Sequence, residues 1–458
     1  MVEPTPRNLA VLALRDRHGN VTRSLRRLLA QHAVSNLDRA FARELALGVL
    51  RRRAALDAVL AAFLRLTDRR LPHAVRHILH VGLYQLLFLD RVPDFAAVNE
   101  AVSQAAAFHC SRQAGLINGL LRSILRALSP VETGHTPADP CVIPISPASF
   151  RRIDRPVFPD PQTDPAAYIA AAYSLPQSLT AGWLEQTSGD LQPVIRWAMH
   201  ANTSPPLIAR VNRLKATVDQ TLASLAAAGA AAAVHANACS VVIADAASLT
   251  DLPAFRDGWI QPQDPTATEV VLAAAPAPGQ TVLDLCAAPG VKTTHLAELM
   301  NNTGSIVAVD VSDSKLALIT DSAKRMGATI VTTTLADKLA SLGVERFDLV
   351  LADVPCSNTG VLARRPEARW RFDPAALGSL VKDQKFLLAA AAGLTRPGGR
   401  VVYSTCSIEP AECGNLAKAA AAADLNLTLE TQKLIRPAGA GDPTQWHDGG
   451  FYAIFRRT

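Results

Sequence analysis

Residues 281–300 read TVLDLCAAPGVKTTHLAELM, an apolar strand pattern followed by a small-residue turn and a helical pattern. The strand pattern ends at Leu285, the turn runs from Cys286 to Gly290, and the helix opens near Lys292. Small side chains in such a turn let a ligand approach the backbone at the carboxyl end of a strand. The stretch therefore predicts one strand–turn–helix unit of a doubly wound sheet, with a ligand site at the turn.

The same rhythm continues along the chain. The strand-like segments SIVAVDV, FDLVLADV and RVVYSTC follow, and the first of them is succeeded by the helical pattern SDSKLALITDSAKRM. Alternation of this kind predicts a parallel sheet covered on both faces. Asp310 ends the second strand, where an acid can accept hydrogen bonds from a ribose, and the turn lacks the GxGxxG pattern of dinucleotide enzymes. The pattern favours an adenosine-containing cofactor other than a dinucleotide.

Residues 1–130 differ from the rest of the chain in pattern and charge. Apolar residues recur there every three or four positions, which predicts an all-helical domain. This part contains 19 Arg, no Lys and nine acidic residues, so its formal charge is +10 against +6 for the whole chain. Concentrated positive charge favours a polyanionic partner such as RNA. A solvated arginine-rich helix surface would have the same composition.

Composition and breaks in the pattern divide the chain into four predicted segments. Residues 1–130 form the helical domain, 131–172 a proline-rich linker, 173–260 a small α+β module of RRM-like type, and 261–458 the domain with the doubly wound sheet. The linker is inferred because frequent prolines remove backbone donors and interrupt periodic patterns.

Bulk composition excludes several classes of protein. The apolar stretches are interrupted well short of a membrane span, and the amino-terminal sequence does not resemble a secretory signal. Seven cysteines occur without CxxC spacing, which argues against a disulfide framework and against a zinc site. We therefore expect a cytoplasmic, monomeric protein with no membrane contact and no metal.

Two cysteines stand at the predicted carboxyl edge of the sheet. DVPCSNTG brings Asp353 and Cys356 there, and YSTCS brings Cys406. Either cysteine alone would most often be a buried structural residue. Two of them beside a predicted cofactor turn are harder to explain as core filling and indicate a reactive site.

Three motifs together resemble the RNA cytosine-5 methyltransferase family: DLCAAPGVKT at 284–293, DVPCSNTG at 353–360 and YSTCS at 403–407. Residues 98–125, VNEAVSQAAAFHCSRQAGLINGLLRSIL, resemble the NusB-like domain of the ribosomal small subunit methyltransferase B branch. Three positions depart from the usual pattern, namely Val291, Val354 and Asn358.

The resemblance implies a fold and a reaction. The fold would be an α/β, Rossmann-like S-adenosylmethionine-dependent methyltransferase domain, preceded by the α+β module and a NusB-like bundle. The reaction would be methylation of carbon 5 of a cytosine in 16S ribosomal RNA. It further implies that Cys406 is the covalent nucleophile, that Cys356 assists product release, and that Asp353 contacts the cytosine ring.

The resemblance also implies two sets of binding residues. Those predicted to surround S-adenosyl-L-methionine are Cys286, Ala287, Ala288, Pro289, Gly290, Val291, Lys292, Asp310, Asp337 and Asp353. A basic cluster beside the site, RRPEARW, supplies the predicted RNA contacts Arg364, Arg365, Arg369 and Trp370, although a solvated helix start would look the same.

Two other functions fit parts of the sequence. A transfer RNA cytosine-5 methyltransferase would share every catalytic residue, and only the helical domain favours ribosomal RNA. A non-catalytic RNA-binding antitermination or assembly factor would use the basic helical domain alone. The paired cysteines weigh against that second alternative, because a vestigial site has no physical reason to keep both.

Overall fold

The computed structural model describes residues 2–16, 20–64, 71–244 and 249–458. These divide into two compact units. The first unit comprises Met1–Thr203 and Leu362–Phe372, and the second comprises Ser204–Val361 and Asp373–Thr458. The chain therefore leaves the second unit after Val361 and returns to it at Asp373.

The first unit is mainly helical. Its helices before residue 204 are α1 (Pro6–Leu14), α2 (Val21–Gln31), α3 (Asn36–Phe63), α4 (His73–Phe88), α5 (Asp94–Ala107), α6 (Ala114–Ala127), α7 (Pro165–Tyr173), α8 (Gln177–Gln186) and α9 (Leu191–Asn202). Side chains cap several of them: Ser35 accepts a hydrogen bond from the backbone of Asp38 at the start of α3, and Asp164 does the same for Ala167 at the start of α7. The predicted helical region is thus observed.

The predicted linker at 131–172 is folded, which corrects the sequence interpretation. It contains β1 (Glu132–Thr133), β2 (Val142–Ser146) and β3 (Ser149–Arg152), which form an antiparallel sheet in the order β1-β3-β2. Pro144 lies on the edge strand β2, where a missing N–H group breaks no ladder. The buried guanidinium of Arg52 donates to the carbonyls of Pro144 and Ile145 at 2.9 and 2.6 Å. This segment is thus held by hydrogen bonds, although its sequence lacks a periodic apolar pattern.

The second unit begins with a small antiparallel sheet. Its strands are β4 (Leu207–Val211), β5 (Ala231–Val234), β6 (Ser240–Ala244) and β7 (Ile260–Pro262) in the order β5-β6-β4-β7, with helices α10 (Val218–Ala227) and α11 (Pro253–Arg256). Helices α7–α9, which precede this sheet in the segment predicted to begin at residue 173, belong to the first unit. Ser174 Oγ accepts a bond from the backbone of Ala55 in α3, and Asn202 donates to the carbonyl of Tyr173.

A larger sheet forms the rest of the second unit. Its strands are β8 (Thr281–Leu285), β9 (Ser305–Asp310), β10 (Val331–Leu335), β11 (Phe347–Asp353), β12 (Thr395–Thr405), β13 (Leu427–Ile435) and β14 (Gly450–Arg457), in the order β10-β9-β8-β11-β12-β14-β13. The accompanying helices are α12 (Pro265–Ala274), α13 (Val291–Leu299), α14 (Asp313–Met326), α16 (Pro374–Leu394) and α17 (Gly414–Ala422), whereas α15 (Pro366–Arg371) belongs to the first unit. Neighbours from β10 through β12 are parallel, and β14 and β13 add antiparallel strands at one end.

Alternating residues of this sheet enter two apolar clusters. Leu283, Leu285 and Val350 pack in one cluster, and Val282 and Leu349 pack in the other. Side chains alternate between the two faces of a strand, so both faces are covered, as the sequence predicts. The predicted Rossmann-like α/β fold is therefore confirmed, and the carboxyl ends of β8, β9, β11 and β12 meet at one edge.

Candidate active site

The turn after β8 has an unusual backbone. Cys286 and Gly290 have φ angles of 60° and 91°, both in the left-handed region, and the peptide bond between Ala288 and Pro289 is cis. A Cβ atom added to Gly290 would lie 3.1 Å from Cα of Ile319, so a larger residue would press against α14. Val291 is the first residue of α13 and is half-buried. The turn leaves its backbone close to the edge of the sheet, as a cofactor cradle requires.

Asp310 is fixed beside this turn. Its Oδ2 accepts a 2.9 Å hydrogen bond from the backbone of Ala288, and its Oδ1 accepts bonds of 2.7 and 2.8 Å from the Val311 backbone and Lys315 Nζ. Burial alone would raise the pKa of Asp310, but these donors outweigh it and lower that pKa. Asp310 is thus a charged acceptor tied to the predicted cofactor turn.

A second acid lies beneath the turn. The side chain of Asp284 is buried, and its Oδ2 accepts a 2.6 Å bond from Thr293 Oγ1. Burial raises the pKa of Asp284 to about 7, and the nearby negative charge of Asp353 adds to this effect. In the sequence, Asp284 is distinguished only as the first residue of the motif DLCAAPGVKT. The structure adds it to the polar groups of the site.

An ion pair joins the cofactor turn to β11. Lys292 Nζ lies 2.6 Å from Asp353 Oδ2, and Ser404 Oγ donates to Asp353 Oδ1 at 2.6 Å. Burial opposes the charge of Lys292, but Asp353 outweighs it and raises the pKa of the lysine, with a smaller contribution from Cys406. Lys292 and Asp353 were both predicted at the cofactor, and the structure brings them together next to the cysteines.

The two predicted cysteines meet. Cys356 Sγ lies 2.8 Å from Cys406 Sγ. The Cys406 thiol also donates to Asn358 Oδ1 at 3.3 Å, and Asn358 Nδ2 donates to the carbonyl of Cys356 at 2.7 Å. The hydrogen bond with Cys406 lowers the pKa of Cys356, although burial acts in the opposite direction. Such a pair of thiols can share a proton, and one of them can act as a nucleophile.

Several residues of the site were missed by sequence reasoning. They are Asn358, Ser404, Lys315 and Glu412, each of which bonds to a predicted residue or to its loop. Asn358 carried a signal in the sequence, where it departs from the family pattern. In the structure its φ is 63°, a conformation that asparagine tolerates. The other three lie beside motifs whose spacing does not encode hydrogen-bond partners.

The predicted RNA contacts in and before α15 separate into two kinds. Arg364 and Arg365 are exposed. Arg369 is fully buried and donates to the carbonyls of Arg51, Ser174 and Ala201 and to Asn202 Oδ1. The expectation of an RNA contact at Arg369 is thus wrong in this structure, because its guanidinium is used inside the first unit.

Of the two remaining predicted contacts, Trp370 is partly buried in the first unit and Asp337 is exposed in the second. Trp370 is half-buried, donates to the carbonyl of Leu50 at 3.0 Å, and carries the guanidinium of Arg53 at 3.9 Å from its ring centre. Asp337 is exposed in a short 3-10 helix, Ala336–Leu342, directly after β10. It lies at the carboxyl edge of the sheet, and its predicted contact with the cofactor stays a prediction.

Two classes of feature are not found in the described part of the chain. No helix there is long and apolar enough to span a membrane. Within residues 2–16, 20–64, 71–244 and 249–458, no group of three or more His, Cys, Asp or Glu side chains is arranged to hold a metal ion.

Comparison with family models identifies three parts of the chain. A model described as 16S rRNA methyltransferase RsmB/F matches residues 271–452, and a NusB family model matches residues 4–126. A ferredoxin-like domain model of RsmF/B-like methyltransferases matches residues 183–250. The helical domain predicted as NusB-like is thereby confirmed.

Whole-chain relatives agree with these matches. A protein of Synechocystis named probable ribosomal RNA small subunit methyltransferase B is 36% identical, over 89% of this chain and 86% of that protein. Ribosomal RNA small subunit methyltransferase B of Shigella flexneri is 32% identical, over 92% of this chain and 91% of that protein. The crystal structure of PH0851 covers 100% of this chain and 99% of its own, with a TM-score of 0.74 and 24% identity, and supports the fold. The chain therefore belongs to the S-adenosylmethionine-dependent ribosomal RNA small subunit methyltransferase B family.

Proposed function

We propose that this enzyme methylates carbon 5 of a specific cytosine in 16S ribosomal RNA through a covalent bond to Cys406. The observation that carries the proposal is the pair of thiols, Cys356 and Cys406, whose sulfur atoms lie 2.8 Å apart. They stand at the carboxyl edge that also carries the glycine turn after β8. A reaction that needs one thiol to add to a ring and another group to help it leave accounts for both cysteines.

The cofactor site is proposed around the turn of residues 286–292. Its left-handed backbone at Cys286 and Gly290 leaves room for the methionine end of S-adenosylmethionine, and Asp310 is a charged acceptor for the ribose hydroxyls. Asp337 is proposed near the adenine because it follows the next strand at the same edge. When bound, S-adenosylmethionine supplies the methyl group that carbon 5 receives.

Cys406 is the proposed nucleophile. Carbon 5 of cytosine is a weak nucleophile until a group adds to carbon 6, and a thiolate is suited to that addition. In the proposed step a sulfur–carbon bond forms at carbon 6 and the electron pair of the ring double bond becomes available at carbon 5. The pKa of Lys292 is raised chiefly by Asp353, and a Cys406 thiolate adds to this effect, so the lysine ammonium and the thiolate attract each other. This supplies positive charge for activation of the thiol.

Lys292 and Asp353 are proposed to hold the ring edge of the cytosine. Asp353 is fixed by Lys292 and Ser404, and carboxylate oxygens retain further capacity to accept from an exocyclic amino group. Negative charge builds up on the ring when the thiolate adds. The fixed positive charge of Lys292 stabilises that charge without reorganisation during the reaction.

Cys356 is proposed to assist release. After methyl transfer the proton on carbon 5 must leave, the bond from carbon 6 to Cys406 must break, and its electron pair returns to the Cys406 sulfur. Cys356 is the proposed acceptor of this proton. Its position beside Cys406 puts the base next to the bond that breaks.

RNA is proposed to reach the site as an unpaired loop, because a base flips out of a loop at lower cost than out of a duplex. The exposed residues Arg364 and Arg365 are the proposed phosphate contacts, and the remaining exposed arginines of the first unit add sequence-independent affinity. We expect the protein to act as a monomer in the cytoplasm.

A methyl-transfer assay with radiolabelled S-adenosylmethionine tests the proposal. Wild-type protein is given 16S ribosomal RNA and transfer RNA in parallel, with Cys406→Ala as the control. Label in 16S RNA only, mapped to cytosine carbon 5 and lost in Cys406→Ala, is the expected result. Label in transfer RNA would identify transfer RNA as the substrate. Label in neither RNA would favour either a non-catalytic RNA-binding factor or an enzyme whose substrate is a ribosomal particle.

Cys356→Ala tests the release step separately. This variant should still form the bond from Cys406 to the cytosine and should fail to break it. A protein–RNA adduct that survives a denaturing gel is therefore expected. Wild-type turnover with no adduct would remove the release role from Cys356.

A further inference from the structure

We propose that Glu412 is a positioning residue that holds Cys356 against Cys406 by binding the neighbouring residue Ser357. The consequence for product release rests on the function proposed above, whereas the positioning itself does not. Glu412 lies six residues after Cys406, in the 3-10 helix Pro410–Glu412, and its side chain is fully buried.

Three donors converge on the Glu412 carboxylate. Its Oε1 accepts from the Ser357 backbone at 3.0 Å and from Gln384 Nε2 at 2.8 Å, and its Oε2 accepts from Ser357 Oγ at 2.5 Å. Backbone and amide N–H groups only donate, so the direction of the two bonds to Oε1 is fixed. Ser357 is therefore held by both its main chain and its side chain.

Gln384 secures the other side of Cys356. The same Nε2 atom donates to the carbonyl of Pro355 at 2.9 Å, while the Tyr403 hydroxyl donates to the carbonyl of Glu412 at 2.7 Å and lies 3.3 Å from Gln384 Oε1. One orientation of the Gln384 amide satisfies all of these bonds. The residues before and after Cys356 are thus attached to one buried carboxylate–amide pair.

The same network reaches the loop that carries Cys406. Ser357 Oγ lies 3.1 Å from Ser407 Oγ, and Thr359 Oγ1 lies 3.2 Å from the same atom. Gly360 also donates its backbone N–H to the carbonyl of Cys406 at 3.0 Å. Cys356 lies after the end of β11, and its backbone is not paired with a neighbouring strand of the sheet. These contacts therefore set the distance between the two thiols.

Acceptor capacity, and not negative charge, explains why an acid occupies this position. The pKa of Cys356 is lowered overall, but the negative charge of Glu412 acts in the opposite direction. That charge therefore does not assist formation of a Cys356 thiolate. A leucine of similar size would leave three donors without an acceptor. A glutamine would keep one oxygen for the two N–H donors, and the Ser357 hydroxyl could turn to accept from the amide nitrogen.

The test measures the thiol pair directly with phenylarsine oxide on the full-length protein. Its arsenic atom forms bonds to two thiols while its oxygen leaves as water, so tight binding requires both sulfurs to lie within reach of one atom. Wild-type protein, Glu412→Leu and Glu412→Gln are compared. Glu430→Gln, which alters an acid paired with Arg456 on the outer strand, is the matched control, and Cys406→Ala defines the background.

We expect Glu412→Leu to weaken arsenical binding by about tenfold or more, because separating the thiols removes the gain from simultaneous binding. Glu412→Gln should stay within about threefold of wild type, since the acceptors are kept. Glu430→Gln should match wild type. Ser357→Ala removes one bond of the network and gives a smaller loss in the same direction, which preserves the test if Glu412→Leu does not fold.

A kinetic readout separates positioning from general damage. Glu412→Leu should accumulate the covalent RNA adduct, with kcat reduced by roughly ten- to a hundredfold and the KM for RNA unchanged, as misplacement of one group predicts. A folded Glu412→Leu protein with wild-type arsenical binding overturns the inference, and so does a Glu412→Gln protein as impaired as Glu412→Leu. Wild-type protein that transfers no methyl group would defeat the proposed function while leaving the thiol measurement valid.

Discussion

Replacing Arg369 tests whether this residue stabilises the fold or contacts RNA. Its fully buried guanidinium donates four hydrogen bonds of 2.6–3.1 Å to Arg51, Ser174, Ala201 and Asn202. Bonds from a charged donor contribute about 1.5–3 kcal/mol each, and the cost of burying the charge offsets part of that sum. Arg369→Ala should therefore lower the free energy of unfolding by roughly 3 kcal/mol.

Thermal unfolding and RNA binding together give the readout. A loss of about 3 kcal/mol corresponds to a decrease of roughly 6–12 °C in the Tm of a unit of this size. Arg365→Ala is the matched control: it is exposed, so its Tm should stay within about 2 °C of wild type while its RNA affinity falls. If Arg369→Ala kept the wild-type Tm and lost RNA affinity, the assignment of Arg369 to the interior of the first unit would be refuted.

Three further predictions concern the second unit. Asp310→Ala should raise the Kd for S-adenosylmethionine by about tenfold or more, because it removes a charged acceptor of the ribose; calorimetry that found an unchanged Kd would exclude the contact. Asn358→Gly keeps the left-handed backbone but removes the hydrogen bond from the Cys406 thiol, so kcat for methyl transfer should fall by roughly fivefold. Unchanged turnover would show that the Asn358 amide has no part in orienting this thiol. Because the pKa of Asp284 is raised to about 7 in the folded protein, the folded state binds more protons than the unfolded state between about pH 4 and 7, and stability falls as the pH rises through that range. Asp284→Asn should accordingly gain stability relative to wild type by up to roughly 4 kcal/mol from pH 4 to pH 8, and a difference independent of pH in denaturant titrations would contradict the shift.

The large sheet was predictable because its signals are local. The strand ending at Leu285, the turn from Cys286 and the helix near Lys292 all appear where the sequence placed them, as β8 ending at Leu285 and α13 beginning at Val291. The carboxyl ends of parallel strands meet at one edge, so topology predicted that Cys356 and Cys406 lie at the same edge. Strands β13 and β14 were not predicted; β14 follows β13 with no helix between them, so the strand–helix rhythm of the parallel part does not extend to it.

The segments that were misjudged depend on contacts distant in sequence. Residues 131–172 look like a linker because of their prolines, yet Arg52 binds the carbonyls of an edge strand there. Arg369 looks like a solvated arginine in a basic cluster, yet its partners lie in α3, α7 and α9 or next to them. Neither partnership can be read from composition or spacing, since a buried arginine and an exposed one have the same local sequence.

The different supports of the two cysteines bear on their proposed roles. Cys406 directly follows β12, where backbone bonds to β11 and β14 hold the preceding residues in place. Cys356 lies in a loop whose position depends on side chains, chiefly those of Glu412 and Gln384. A nucleophile that must meet carbon 6 within bonding distance benefits from the rigid strand end, whereas a group that removes a proton tolerates a softer support. Damage to the Glu412 network should therefore slow release before it slows attack, so that the covalent adduct accumulates while the first bond still forms.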